Sequence, residues 1–362
     1  MFHPIRIAAI LAVGLPLVLL LLTVAAGTSG HAESSRVIYR TLRYCLVVEL
    51  ICGLILACVG AIYQSVSAAR ERQTYHPPGK LVDVGGYRLH LYCSGTGGPT
   101  VLLDYGLVGT YLDWAYVQPE VAKFTRVCSY DRGGYGWSDP SPKERLPGVM
   151  AEELHTLLSN AGVTPPYIVA GHSFGAFNAL AFARLFPRET AGVILIDGSH
   201  PDESIPFGWR NKLWLRTMQL TLPFGLPRWR KWCGGGDSDT QGIKTAITCR
   251  SQYQQTYYRQ WGTFQRSAEE IRGLGPVGDI RLAVIARDSK RAGAQNNAIN
   301  EERWQVLQQQ LTRLSTKSSY VIAQGSGHAV PLQRPEVIVE VIRKMVEQAR
   351  SESASEKTNR SH

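Results

Sequence analysis

The run Gly171-His172-Ser173-Phe174-Gly175 sets a serine between two glycines, each two positions away. That spacing suits a sharp strand-to-helix turn, because the glycines let backbones pass closely while the serine hydroxyl stands exposed at the apex. The flanks agree with such a turn. Tyr167-Ile168-Val169-Ala170 is a short β run after Pro165-Pro166, and Ala176 to Phe186 is an Ala/Leu/Phe helix stopped by Pro187. Ser173 then lies at a helix N-terminus, where backbone N–H groups favour negative charge, and the N–H of Phe174 is expected to supply half of an oxyanion hole. A serine hydroxyl is a weak nucleophile at neutral pH and needs an imidazole within hydrogen-bond reach. Of the nine histidines, His328 alone sits in a Gly-rich loop, Gln324-Gly325-Ser326-Gly327-His328, between a β run and a helix that starts at Pro335. A carboxylate must hold that imidazole, and the chain order Ser, Asp, His admits two, Asp197 and Asp288, each at the end of a β run. This is nucleophilic acyl chemistry, and it calls for no metal and no organic cofactor.

Those residues need a scaffold that brings distant strand ends together. Past His76-Pro77-Pro78-Gly79, short β-branched runs alternate with helical stretches, the pattern of a mostly parallel sheet covered by helices. Eight strands are expected, over 81–84, 87–92, 100–103, 126–130, 167–170, 192–196, 281–286 and 319–323, the first two forming a hairpin across Gly85-Gly86. The interval 199–276 has no clear strand. It concentrates Trp209, Trp214, Trp229, Trp232, Tyr253, Tyr257, Tyr258, Trp261 and Phe264 among arginines and lysines, and reads as a helical cap over a site for lipophilic substrates or against lipid.

Three further blocks, in order along the chain, resemble the α/β-hydrolase superfamily over roughly Leu81 to Ala349. Val101-Leu102-Leu103-Asp104-Tyr105-Gly106-Leu107 is similar to the loop after the third strand that supplies the second oxyanion donor; the resemblance assigns that donor to the Leu107 N–H, with Tyr105-Gly106 where the family often has His-Gly. Arg126 to Ser138, with Asp131-Arg132-Gly133-Gly134-Tyr135-Gly136, looks like the family's fourth-strand turn, a structural element held by Asp131 and Arg132. The His328 loop resembles the one that carries the family's catalytic histidine. Most members place the acid after the seventh strand, which favours Asp288; some place it after the sixth, which is Asp197. The resemblance implies an α/β-hydrolase fold with the cap between strands six and seven, and a Ser-His-Asp carboxylesterase or lipase-like enzyme. Alternatives on the same fold are an amidase or peptidase, a cofactor-free lyase or haloperoxidase, and a membrane-tethered binding protein that has lost its chemistry. The serine at the elbow disfavours the aspartate-nucleophile members.

Ahead of the core, two apolar stretches, about 5–26 and 43–66, are long enough to span a bilayer, with a cleaved signal peptide as the alternative for the first. The Lys and Arg counts on their flanks nearly balance, so the side of the catalytic domain stays open. The expected organisation is an anchor at 1–75, a core at 76–198 and 277–349, a cap at 199–276, and a disordered polar tail at 350–362. A formal charge of +10 over 362 residues suits an anionic membrane surface; the chain lacks zinc-finger spacing, an RNP motif or a Lys/Arg block, which argues against nucleic acid. The expected partners are a small-molecule or lipid acyl substrate and membrane lipids. Cys93, Cys128, Cys233 and Cys249 are an even set that forms two disulfides or stays as four thiols.

Overall fold

The structure is a computed structural model that describes residues 32–203, 208–234, 240–290 and 298–360. It divides into two units, residues 1–69 with 223–226, and 70–222 with 227–362. Ala32–Thr74 is one continuous helix, α1, most of it in the first unit; its stretch Tyr39–Thr74 includes an 18-residue window with a mean hydropathy of 2.7, none of it buried, and is long and apolar enough to cross a membrane. The second expected span falls inside it. The first, 5–26, lies outside the described residues. Cys45, Cys52 and Cys58 are free thiols along α1.

The larger unit is built on an eight-stranded sheet in the order β1-β2-β4-β3-β5-β6-β7-β8. Its strands are β1 Lys80–Asp83, β2 Arg88–Ser94, β3 Thr100–Asp104, β4 Val127–Asp131, β5 Tyr167–His172, β6 Thr190–Ile196, β7 Arg281–Arg287 and β8 Ser318–Ala323. All eight expected strands are present. The β1–β2 and β2–β4 pairings are antiparallel, and the other five pairings are parallel. Runs such as Val-Ile-Leu-Ile in β6 are apolar without alternation because both faces of a parallel sheet are covered. Successive residues serve opposite faces: Val193 and Leu195 pack with α2 (Pro147–Asn160) and α3 (Gly175–Leu185), while Ile194 and Ile196 pack with Ile338, Ile342 and Met345 of the last helix, Pro335–Arg360. Each such side chain, fully buried, contributes about 1.5–3 kcal/mol.

Between β6 and β7 the chain is helical, with α4 Trp209–Thr221, α5 Gln241–Thr248 and α6 Ser251–Leu274. Cys233 and Cys249 are joined there, and Cys93 and Cys128 are joined across the β2–β4 pairing, so the four cysteines form two disulfides. The tail differs from the expected disordered segment. The last helix runs on to Arg360, because Ser351 to Arg360 contains no glycine or proline to stop it.

Candidate active site

In an open parallel sheet the loops that can meet are those leaving the C-terminal ends of neighbouring strands. Here they leave β3, β5 and β6, which are adjacent, together with β7 and β8. Ser173 follows β5 with φ +52°, a left-handed conformation that a non-glycine residue enters at a cost of roughly 1–3 kcal/mol and that holds its side chain clear of the turn. The flanking glycines are required by close approach. A Cβ on Gly171 would lie 2.2 Å from the carbonyl oxygen of Gly175, and one on Gly175 would lie 2.5 Å from that of Asp104. The spacing that marked Ser173 in the sequence is thus imposed by backbone on both sides.

His328 brings its Nε2 to 3.0 Å from Ser173 Oγ, and its Nδ1 to 2.5 Å from Asp197 Oδ2. The Nδ1–H donates to the carboxylate, which leaves Nε2 free to accept the serine proton. Asp197 ends β6, has φ +41° and is fully buried. Its Oδ2 also accepts from Arg287 Nη1 at 3.0 Å, and its Oδ1 accepts from Trp304 Nε1 at 2.7 Å and from the Arg287 N–H at 3.2 Å. Burial pushes this carboxyl up, but the bonds and charges of His328, Arg287 and Trp304 outweigh it, so it sits below its ordinary value and stays ionised. Arg287 is in turn held by Glu301 at 2.7 and 3.0 Å and lies 4.4 Å from the Trp304 ring centroid.

Asp288, the carboxylate preferred from the sequence, is not the one that reaches His328. It accepts from the N–H of Lys290 at 3.0 Å and of Gly325 at 2.9 Å, which ties the turn after β7 to the loop that carries the histidine. The reason is alternation: Arg287 points toward Asp197, so the next residue faces away from it.

The fourth-strand turn does more than hold itself. Asp131 does so as expected, accepting from the N–H of Tyr111 and Trp137 and from His90 Nδ1 at 2.9, 3.1 and 2.7 Å. Arg132 reaches across to the β3 loop: Nη1 donates to Asp104 Oδ1 and to the Tyr105 carbonyl, both at 3.1 Å, and Nη2 donates to the Gly106 carbonyl. His172, beside the serine, bonds through Nε2 to the His328 carbonyl at 2.8 Å. Burial, and then the nearby His328, draw the His172 imidazole down to about 4, so it is neutral at pH 7.

Ser173 and His328 open into a cavity of about 590 Å³ whose apolar wall includes Leu107, Val108, Tyr257, Trp261, Phe264 and Leu332. Glu203 also lines it, with its carboxyl pushed up to about 6, chiefly by burial. Sequence reasoning passed over Glu203, Trp304, Arg287 and the reach of Arg132, because no local pattern marks a side chain whose partner is remote. Asp202 and Asp279, the other two aspartates between Ser173 and His328 among the described residues, bond or pair with Arg272 and Lys317, away from this site. Among the described residues no group of three or more His, Cys, Asp or Glu is placed to hold a metal ion.

A model of the alpha/beta hydrolase family matches residues 93–341. Over 171 residues the chain is 25% identical to the uncharacterized protein YbdG of Bacillus subtilis; the match takes in 46% of this chain and 53% of YbdG, so the chain spans about half the length of that relative. Two solved structures share the fold. A thermophilic esterase from Thermogutta terrifontis has 21% identity, covers 75% of this chain and 98% of its own, and superposes with a TM-score of 0.56. The enol-lactonase from Burkholderia xenovorans LB400 has 18% identity, 74% and 99% coverage, and a TM-score of 0.56.

Proposed function

We propose that this chain, which belongs to the alpha/beta hydrolase family, is a membrane-anchored serine hydrolase that cleaves lipophilic acyl esters through Ser173, His328 and Asp197. The observation that carries this reading is the line Ser173 Oγ–His328 Nε2 at 3.0 Å and His328 Nδ1–Asp197 Oδ2 at 2.5 Å, opening into an apolar cavity. Ser173 Oγ attacks the ester carbonyl carbon as its proton passes to Nε2, and the carbonyl oxygen takes the charge. Asp197 stabilises the imidazolium that forms. The tetrahedral intermediate then expels the alcohol, which leaves with the proton from Nε2, and an acyl-enzyme remains. Water repeats the sequence, giving its proton to His328 and releasing the acid and Ser173.

The oxyanion is received by the N–H groups of Phe174 and Leu107. Support for the second comes from Arg132. A trans peptide directs its N–H opposite to its C=O, so an arginine that holds the Gly106 carbonyl turns the Leu107 N–H the other way, and Leu107 lines the cavity beside Ser173. Acyl esters with an apolar acyl chain fit a wall of Tyr257, Trp261, Phe264 and Leu332. The anchor is α1, joined by the apolar stretch 5–26 as a second span.

The test is labelling with a fluorophosphonate. Wild-type protein should label and Ser173→Ala should not, and ester turnover should drop by about 10⁴–10⁶-fold in the variant. Folded wild-type protein that stayed unlabelled would overturn the reading.

A further inference from the structure

A surface helix ordinarily turns its apolar stripe to the core and its polar residues to water. α4 does both at once. Leu215, Met218 and the adjacent Leu222 are buried, while Trp209, Leu213 and Leu220, on the opposite stripe, are exposed, Trp209 at 72% and Leu220 at 70%. The chain adds to this face after the helix. Trp232 lies edge-on to Trp214 at 4.9 Å between ring centroids, Arg230 lies 5.6 and 5.7 Å from the ring centroids of Trp229 and Trp232, and Trp229 is 65% exposed. Exposed apolar side chains of this size cost water-exposed surface unless something covers them.

Charge says what covers them. From Trp209 to Trp232 there is no Asp or Glu, while Arg210, Lys212, Arg216, Arg230 and Lys231 lie among the aromatic residues. None of these five forms a salt bridge among the described residues. Indole rings with one apolar and one polar edge, next to cations on long stems, match the headgroup layer of a bilayer, and each Lys or Arg there is worth about 1 kcal/mol against an anionic leaflet. A protein partner would have to supply both acidic groups and an apolar surface. A bilayer supplies both, and the same chain carries a helix long and apolar enough to cross one.

We infer that the face formed by residues 209–222 and 227–232 docks on a membrane surface and binds anionic phospholipid headgroups, with Trp209, Leu213, Leu220 and Trp229 entering the interface. The face is separate from the reaction chemistry, so it stands whichever bond the enzyme cleaves. It means that the helices between β6 and β7 bring the cavity's wall to the place where lipophilic substrates collect.

Tryptophan emission reads this face. The chain has eight tryptophans, none in α1, and four of them are Trp209, Trp214, Trp229 and Trp232, whereas Trp114 and Trp304 are buried. The full chain is reconstituted into phosphatidylcholine vesicles, with or without phosphatidylglycerol, that carry lipid brominated near the headgroup. With phosphatidylglycerol up to half of the emission should be quenched; without it, or at high salt, quenching should fall at least twofold. Arg230→Glu combined with Lys231→Glu should remove the dependence on phosphatidylglycerol, and Trp209→Ser, at a side chain already in solvent, should lower quenching without relying on the charge reversal. Emission equal in brominated and unbrominated vesicles would overturn the inference. So would quenching indifferent to phosphatidylglycerol and to charge reversal, which tethering alone explains, or quenching that appears only on dilution of the protein, which points to a second copy covering the face. Fluorophosphonate labelling of the same samples reports separately on the hydrolase reading.

Discussion

β6 and β7 lie side by side and end alike, Ile194-Leu195-Ile196-Asp197 against Ile285-Ala286-Arg287-Asp288, yet their two aspartates have different surroundings. Register makes the difference. Ile196 pairs with Ile285, and the Asp197 N–H donates to the Ile285 carbonyl, so Asp197 stands level with Ala286 and Asp288 comes two residues later. Asp197 is buried under Arg287 and Trp304 and reaches the imidazole; Asp288 has left the sheet and clips a turn. A carboxylate's role follows from how many donors converge on it and how much water they exclude, more than from its place at a strand end.

Substitutions at the two strand ends test that contrast. Asp197→Asn should cost the most, about 10³–10⁴-fold in kcat, because an amide facing Nδ1 favours the wrong tautomer while the fold is retained; steady-state kinetics with a circular dichroism spectrum measure both. Arg287→Ala should come next. It takes one charge from Asp197 and leaves Glu301 facing a gap, at about 3–5 kcal/mol of stability by urea unfolding, and about 10–100-fold in kcat through a displaced carboxylate. A pH dependence follows with it. A carboxyl held below its ordinary 3.8 contributes stability above that pH and loses it as pH falls through the lower folded value. Without Arg287 the folded value rises, so acid unfolding followed by circular dichroism should begin at higher pH. Asp288→Asn should change least, less than about threefold in kcat and about 1 kcal/mol in stability, since the amide oxygen can still accept one of the two N–H bonds, from Gly325 or from Lys290. Were Asp288→Asn the crippling change and Asp197→Asn the mild one, the contrast between the two strand ends would be reversed.

The sequence made the strands legible because a sheet covered on both faces needs unbroken apolar runs, and Gly and Pro punctuate them. It made Ser173 and His328 legible for a related reason: each sits in a local pattern of glycines beside a strand or helix whose type is visible. The acid was not legible. Choosing between Asp197 and Asp288 depends on the β6–β7 register and on where the Arg287 side chain points, neither of which is written in the residues around either aspartate. The same holds for Arg132, whose partners at Asp104 to Gly106 are 26 to 28 residues away, and for His172, whose partner is 156 residues away. Polar composition at 351–360 suggested disorder, but helix propensity without a breaker carried the last helix through it.

Three described residues other than glycine have a left-handed backbone, and two of them are Ser173 and Asp197, the ends of the line that His328 joins. Glycine at either position would relax the chain and remove the proposed nucleophile or the carboxylate proposed to support it. The fold therefore holds its least comfortable backbone where the proposed chemistry lies, and a search for more stable variants of this protein would be drawn first to two residues that the proposed mechanism requires.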